Sequence, residues 1–225
     1  MQTDMTVGKP MKMLLNFTIP VFLGNVFQQL YSMADAVIVG KFVGTKGLAA
    51  VGATGTITFL IIGFLMGVTT GVTVLTSQKF GAGRMDEMRK TVGNAAILSA
   101  VIAVVMTAVS MLGMHRLLVF MHTPEDIFDG AYGYIMIICA GIFTQVLYNL
   151  VSSILRALGN SKTPLYFLIL AAGLNIVLDL VFIIFFHWGA PGAAWATVIS
   201  QGVSGVLCLI YMWKAVPDEK RRLVF

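Results

Sequence analysis

Six stretches of about twenty apolar residues dominate this 225-residue chain, and they leave it few folds to choose from. They run near Leu14–Gly40, Leu48–Ser77, Val92–Gly113, Ala131–Leu155, Leu165–Phe186 and Ala193–Trp213. Only 11% of the residues are charged, where a soluble domain carries about a quarter, and 58% are hydrophobic. The chain is composed for lipid. In hydrocarbon no water satisfies a free backbone N–H or C=O, so a span must be a helix or part of a closed barrel. No alternating barrel pattern appears. The reading is therefore all-α: a polytopic bundle of six transmembrane helices over residues 1–213, with 214–225 as a cytoplasmic tail or the start of a linker. The first span is too long for a signal peptide, lacks a small-x-small cleavage site, and carries Asn16, Asn25, Gln28, Gln29 and Asp35.

Basic residues set the topology. Twelve Lys and Arg fall on one side of the spans: Lys9, Lys12, Lys79, Arg84, Arg89, Lys90, Arg156, Lys162, Lys214, Lys220, Arg221 and Arg222. Only Lys41, Lys46 and Arg116 fall on the other. The positive-inside rule then puts both termini in the cytoplasm, with the bundle crossing the plasma (inner) membrane. The net charge of +5 is mostly topology and implies no nucleic-acid partner. Cys139 and Cys208 lie within spans and read as reduced packing residues.

Turn chemistry marks the connections. Gly159-Asn160-Ser161-Lys162-Thr163-Pro164 reads as a helix end, an N-cap and a Pro at the first helical position. Thr123-Pro124-Glu125-Asp126 starts the fourth span with acids near its positive end. Gly189–Gly192 reads as a tight hairpin, and Gly81–Lys90 as a polar link. Gly63, Gly67 and Gly71 share a helix face that lets another helix approach closely, read as packing within the bundle with a subunit interface as the alternative.

Of ten carboxylates, only Asp35 and Asp179 fall inside apolar stretches, and no Lys or Arg sits deep in any of them. An ionised Asp in hydrocarbon costs roughly 2.5–3.5 kcal/mol on insertion scales, so such residues face a bundle interior and bind or relay something. Asn175 and Asp179 are one helical turn apart; Asp35 shares a face with Gln28 and Tyr31. Gln145, Asn149, Ser152 and Arg156 line the fourth span, and Thr197, Gln201 and Ser204 the sixth. Pointing these faces at one interior is the economical arrangement. Counting 1.5 Å per residue puts Asp35, Tyr134, Asp179 and Thr197 in the outer half and Asn149 in the inner half. Two carboxyls kept from water beside one another can hold a proton near neutral pH and release it when a cation or a change of shape arrives. Oxygens of Asp35, Asn175, Asp179 and Thr197 would equally suit Na⁺. The plainer alternative makes each Asp a structural acceptor for neighbouring helices.

Taken together, several motifs resemble the multidrug and toxic compound extrusion (MATE) transporters. They are Tyr31-Ser-Met-Ala-Asp35-Ala-Val-Ile-Val-Gly40, Gly47-Leu-Ala-Ala50, Gln78-x-x-Gly81-Ala-Gly83, Leu155-Arg156-Ala-Leu-Gly159-Asn160, Asn175-Ile-Val-Leu-Asp179 and Gly192-Ala-Ala-Trp-Ala-Thr197. The pattern is most similar to the DinF-like branch. This resemblance implies a twelve-helix exporter of organic cations or amphiphilic drugs and metabolites, driven by H⁺ or Na⁺, with no other cofactor and no enzymatic activity. It also implies an ion-responsive site at Asp35, Tyr134, Asn149, Asn175, Asp179 and Thr197; the polar faces above add Gln28, Tyr31, Gln145 and Gln201 as candidate substrate-cavity residues. Only the first six helices are matched. The expected partners are therefore the bilayer, a small organic substrate, and a second lobe, from the same chain or from a second copy. Pro217–Arg222 reads as the start of an inter-lobe linker.

Rival readings fare worse. Intramembrane aspartyl proteases use Tyr-Asp and Gly-x-Gly-Asp, but here Ala34 and Ile176-Val-Leu178 precede the acids. His115, His122 and His187 lie at span ends, too far out for a rhomboid-like Ser/His pair. A lipid-linked oligosaccharide flippase needs basic residues in its cavity, and Arg156 is the one candidate. A passive channel would lack gradient-driven accumulation.

Overall fold

The computed structural model describes residues 10–215. It contains α1 (Pro10–Phe42), α2 (Thr45–Gly81), α3 (Met85–Phe120), α4 (Glu125–Ala140), α5 (Ile142–Ala157), α6 (Lys162–Leu180), a π-helical turn (Val181–Phe185) and α7 (Gly189–Ala215). No strand occurs among the described residues. Lys9, Lys220, Arg221, Arg222 and the linker reading of Pro217–Arg222 lie outside the described residues, whereas Lys214 belongs to α7.

Five helices are long and apolar enough to cross a membrane, and the α4–α5 pair makes a sixth candidate span. The helices overrun the apolar stretches that seeded them. At 37 residues, α2 is about 55 Å long, well beyond a hydrocarbon core of about 30 Å. The polar Gly81–Lys90 link therefore shrinks to three residues, 82–84, and Met85 already begins α3. Asp86 and Glu87 sit at the positive end of α3, and Glu87 pairs with Lys79 and with Arg84 (3.7 Å), closing the turn.

The fourth span is not one straight helix. It bends by 45° at Gly141. The backbone ladder survives there, since Gly141 N donates to Ile137 O at 2.9 Å. Val198 of α7 packs into the space beside Gly141, where a Cβ would lie 2.2 Å from its Cγ2. Thr144 Oγ1 donates to Gly141 O at 2.8 Å, a local bond that favours bending. Sequence alone shows a Gly in an apolar run, not the valine that fills its space.

α7 occupies the centre, touching α4, α5 and α6, and small residues allow it. Ala190, Ala193, Ala194 and Ala196 are fully buried. The expected hairpin at Gly189–Gly192 is instead the first turn of α7; the chain reverses at 186–188, where Phe182 and Trp188 stack with ring centres 5.0 Å apart. Similarly, Pro164 is the third residue of α6 rather than the first. Asn160 supplies the cap, its Oδ1 accepting from Thr163 N at 3.1 Å.

α1 is the least covered helix. It packs mainly on α6 and leaves Leu14, Leu15, Ile19, Phe22, Leu30, Met33 and Val37 exposed. Gly63, Gly67 and Gly71 of α2 also face outward with nothing within 4 Å of an added Cβ, which corrects the packing expected for them. The core falls into two clusters. One centres on Ile61, Ile135, Ile138 and Ala194, the other on Val92, Ile154, Leu155 and Cys208. We call the end carrying Lys79, Arg84 and Lys162 the basic end, and the opposite one the far end.

Candidate functional site

A polar layer separates the two core clusters. Asp35 (8% exposed), Asn175 (1%), Asp179 (0%), Thr197 (8%), Ser200 (2%), Gln201 (4%) and Ser204 (1%) are all buried. Three of the seven lie on α6 or α1 and four on central α7, which explains how a chain so apolar hides so many oxygens in one place. The layer is stitched across helices. Asn175 Nδ2 donates to Thr197 Oγ1 at 3.5 Å, joining α6 to α7. Gln201 Nε2 donates to the Tyr31 hydroxyl at 3.2 Å, joining α7 to α1. Ser204 Oγ donates to Phe167 O at 3.0 Å.

Asp35 and Asp179 come from different helices and meet here. Their carboxyl groups are close enough to interact with one another across the α1–α6 contact. Yet Oδ1 of Asp35, both carboxyl oxygens of Asp179 and Oδ1 of Asn175 accept no hydrogen bond from any donor among the described residues. Adjacent buried carboxyls with no other donor are unfavourable unless something positive sits between them. A single proton donated from one to the other satisfies that need, and so does a small hard cation held by carboxylate and amide oxygens. No group of three or more His, Cys, Asp or Glu suited to a metal ion occurs among the described residues. Tyr134, 7% exposed, stands within electrostatic reach of both acids and of Tyr31.

The other residues singled out from sequence are placed differently. Asn149 Nδ2 donates back to Gln145 O on its own helix at 2.9 Å. Asn149 lines a cavity toward the basic end, together with Gln28 and Arg156, and no hydrogen bond joins it to the acid pair. Gln145 is half-buried on α5. The polar stripe on the fourth span thus belongs to the basic half, and depth counting had put Asn149 there. The π-helical turn that directly follows Asp179 was not legible, because Val181–Phe185 is an unbroken apolar run. Such turns recur at functional positions.

A bundle of membrane spans crossed by a buried polar layer is the build of a membrane transport protein. The chain belongs to the MatE family, whose sequence pattern matches residues 20–181. It is 33% identical over 211 residues to the probable multidrug resistance protein YpnP of Bacillus subtilis (strain 168), covering 94% of this chain and 47% of that protein. A solved transporter of the MOP superfamily from Pyrococcus furiosus Vc1 is similar in structure, with a TM-score of 0.87 at 29% identity, covering 95% of this chain and 46% of that one. An outward-facing multidrug resistance MATE transporter is also similar at a TM-score of 0.87, with 29% identity and 92% and 46% coverage. The chain thus spans just under half the length of the relatives it matches. The family consists of transporters, not enzymes.

Proposed function

We propose that this chain forms one lobe of a secondary active exporter of organic cations or amphiphilic drugs and metabolites, coupled to H⁺ or Na⁺. The observation that carries this reading is the meeting of Asp35 and Asp179 in a buried layer where three of their four carboxyl oxygens accept no hydrogen bond among the described residues. In the proposed cycle the acids take up a proton or Na⁺, with Asn175 Oδ1 and the Thr197 hydroxyl shaping the site for the ion. Tyr134 and the Gln201–Tyr31 pair close its sides. Loading that site removes the mismatch between two like charges. α1, held mainly by α6, then settles differently about Pro20 and Gly24, and substrate leaves. One charge crossing the field supplies about 2.3 kcal/mol per 100 mV, enough to bias a two-state bundle. Asn149 joins this cycle from the basic side of the layer. The lobe works in the plasma membrane with both termini cytoplasmic, facing a second lobe from the same chain or a second copy.

Gradient-driven efflux of a cationic dye from cells producing the whole transporter tests the reading. Asp35→Asn and Asp179→Asn should each abolish efflux while the protein still reaches the membrane. Efflux that persists at wild-type rates in both variants sinks it.

A further inference from the structure

The cavity that Asn149, Gln28 and Arg156 line, of about 320 Å³, opens between α1, α2, α5 and the start of α6, on the basic side of the polar layer. We propose that it binds an amphiphile with an oxyanion head, phosphate or carboxylate, and that Arg156 is the group that recognises the head.

Charge makes the case. Arg156 is half-buried on the cavity wall, and its guanidinium makes one long hydrogen bond, Nη2 donating to Ser153 Oγ at 3.3 Å. None of the ion pairs among the described residues involves Arg156, and no Asp or Glu lines the cavity. A partly desolvated guanidinium with no anion beside it is unfavourable, so the cavity is one negative charge short of balance. Five N–H donors in a rigid fork match a phosphate or carboxylate edge two at a time.

The surroundings agree. The first turn of α6 contributes Ser161 and Pro164, so the positive end of that helix adds to the same potential. Across the cavity the hydroxyls of Thr69, Thr70 and Thr73 donate to carbonyls of their own helix, at 3.1, 2.8 and 2.9 Å, leaving Arg156 as the strong donor. Val21, Met66, Leu165 and Leu168 supply an apolar wall for a ring or acyl chain. A cavity of this size takes a head and the first part of its body. The inference stands on the cavity's own geometry and does not depend on the coupling-ion reading of the acids.

The test uses the purified chain in detergent at fixed ionic strength. The soluble probe is 4-methylumbelliferyl phosphate, compared with its neutral parent 4-methylumbelliferone; the lipid probes are dioleoylphosphatidylglycerol and dioleoylphosphatidylcholine. The phosphate should bind about tenfold or more tighter than the neutral parent, and Arg156→Gln should erase that advantage. If phosphatidylglycerol, but not phosphatidylcholine, displaces the aryl phosphate, the natural head belongs to a membrane lipid. If neither lipid does, it belongs to a soluble amphiphile. Equal binding of phosphate and parent overturns the proposal, as does an advantage that survives in Arg156→Gln. Should that variant not stay monodisperse, the wild-type chain decides. Inorganic phosphate must displace the probe and chloride at equal ionic strength must not; displacement by both overturns the proposal.

Discussion

Toward the far end of the bundle, Asp35 and Asp179 adjoin with no Lys or Arg among the described residues forming an ion pair with either; toward the basic end, Arg156 lines a cavity with no carboxylate among its described lining residues. The two halves thus hold opposite charges, each lacking its counterpart. A fold selected only for stability would join such groups into a pair or remove them, since replacing buried ions by apolar residues is often stabilising. Here the polar layer keeps them apart. On the two proposals above, each half would be completed by something mobile, a cation in one and an anion in the other.

The largest expected effect breaks the acidic half. Asp179→Asn should abolish ion-driven efflux, a loss on the order of a hundredfold or more. The same substitution should raise the melting temperature by about 2–4 °C, because it removes an uncompensated charge from a site tuned for function. Na⁺ or acid should stabilise the wild type and not the variant. A variant that melts lower and still responds would show that the acids are structural acceptors. Next comes the bend. Gly141→Ala forces a Cβ against Val198, next to Thr197, and should destabilise by about 1–3 kcal/mol while blunting the Na⁺ response. Unchanged melting and response would mean the bend is incidental to the acidic half.

Two smaller effects sharpen the contrast. Asn160→Ala removes the α6 cap at the basic end and should cost about 1 kcal/mol in thermal unfolding, leaving the Na⁺ response intact. Thr197→Val deletes a single long hydrogen bond and should cost about 0.5–1.5 kcal/mol, with the loss appearing in ion response more than in stability.

The sequence carried the all-helical class and the family resemblance because apolar runs and clustered motifs are local signals. It also carried the meeting of Asp35, Asn175, Asp179 and Thr197, since rare polar residues in lipid-facing runs have few places to go. It misled where the outcome depended on a distant neighbour. Nothing near Gly141 announces Val198, and the glycines at 63, 67 and 71 look like a packing face until the rest of the bundle settles elsewhere. Helix ends drifted for a related reason: capping depends on which side chain reaches the first free amide, and Asn160 rather than Ser161 does so.

The alanines of α7 have a mechanical consequence. With Ala190, Ala193, Ala194 and Ala196 fully enclosed, the first two turns of that helix offer their neighbours mostly short methyl stubs, in contrast to the longer Gln201 and Met212 further along. Such a surface has almost no side-chain freedom with which to absorb a push. In the proposed cycle, a rearrangement begun at Thr197 or Asp179 would therefore be passed sideways with little loss, toward α1, whose outer flank is left exposed among the described residues.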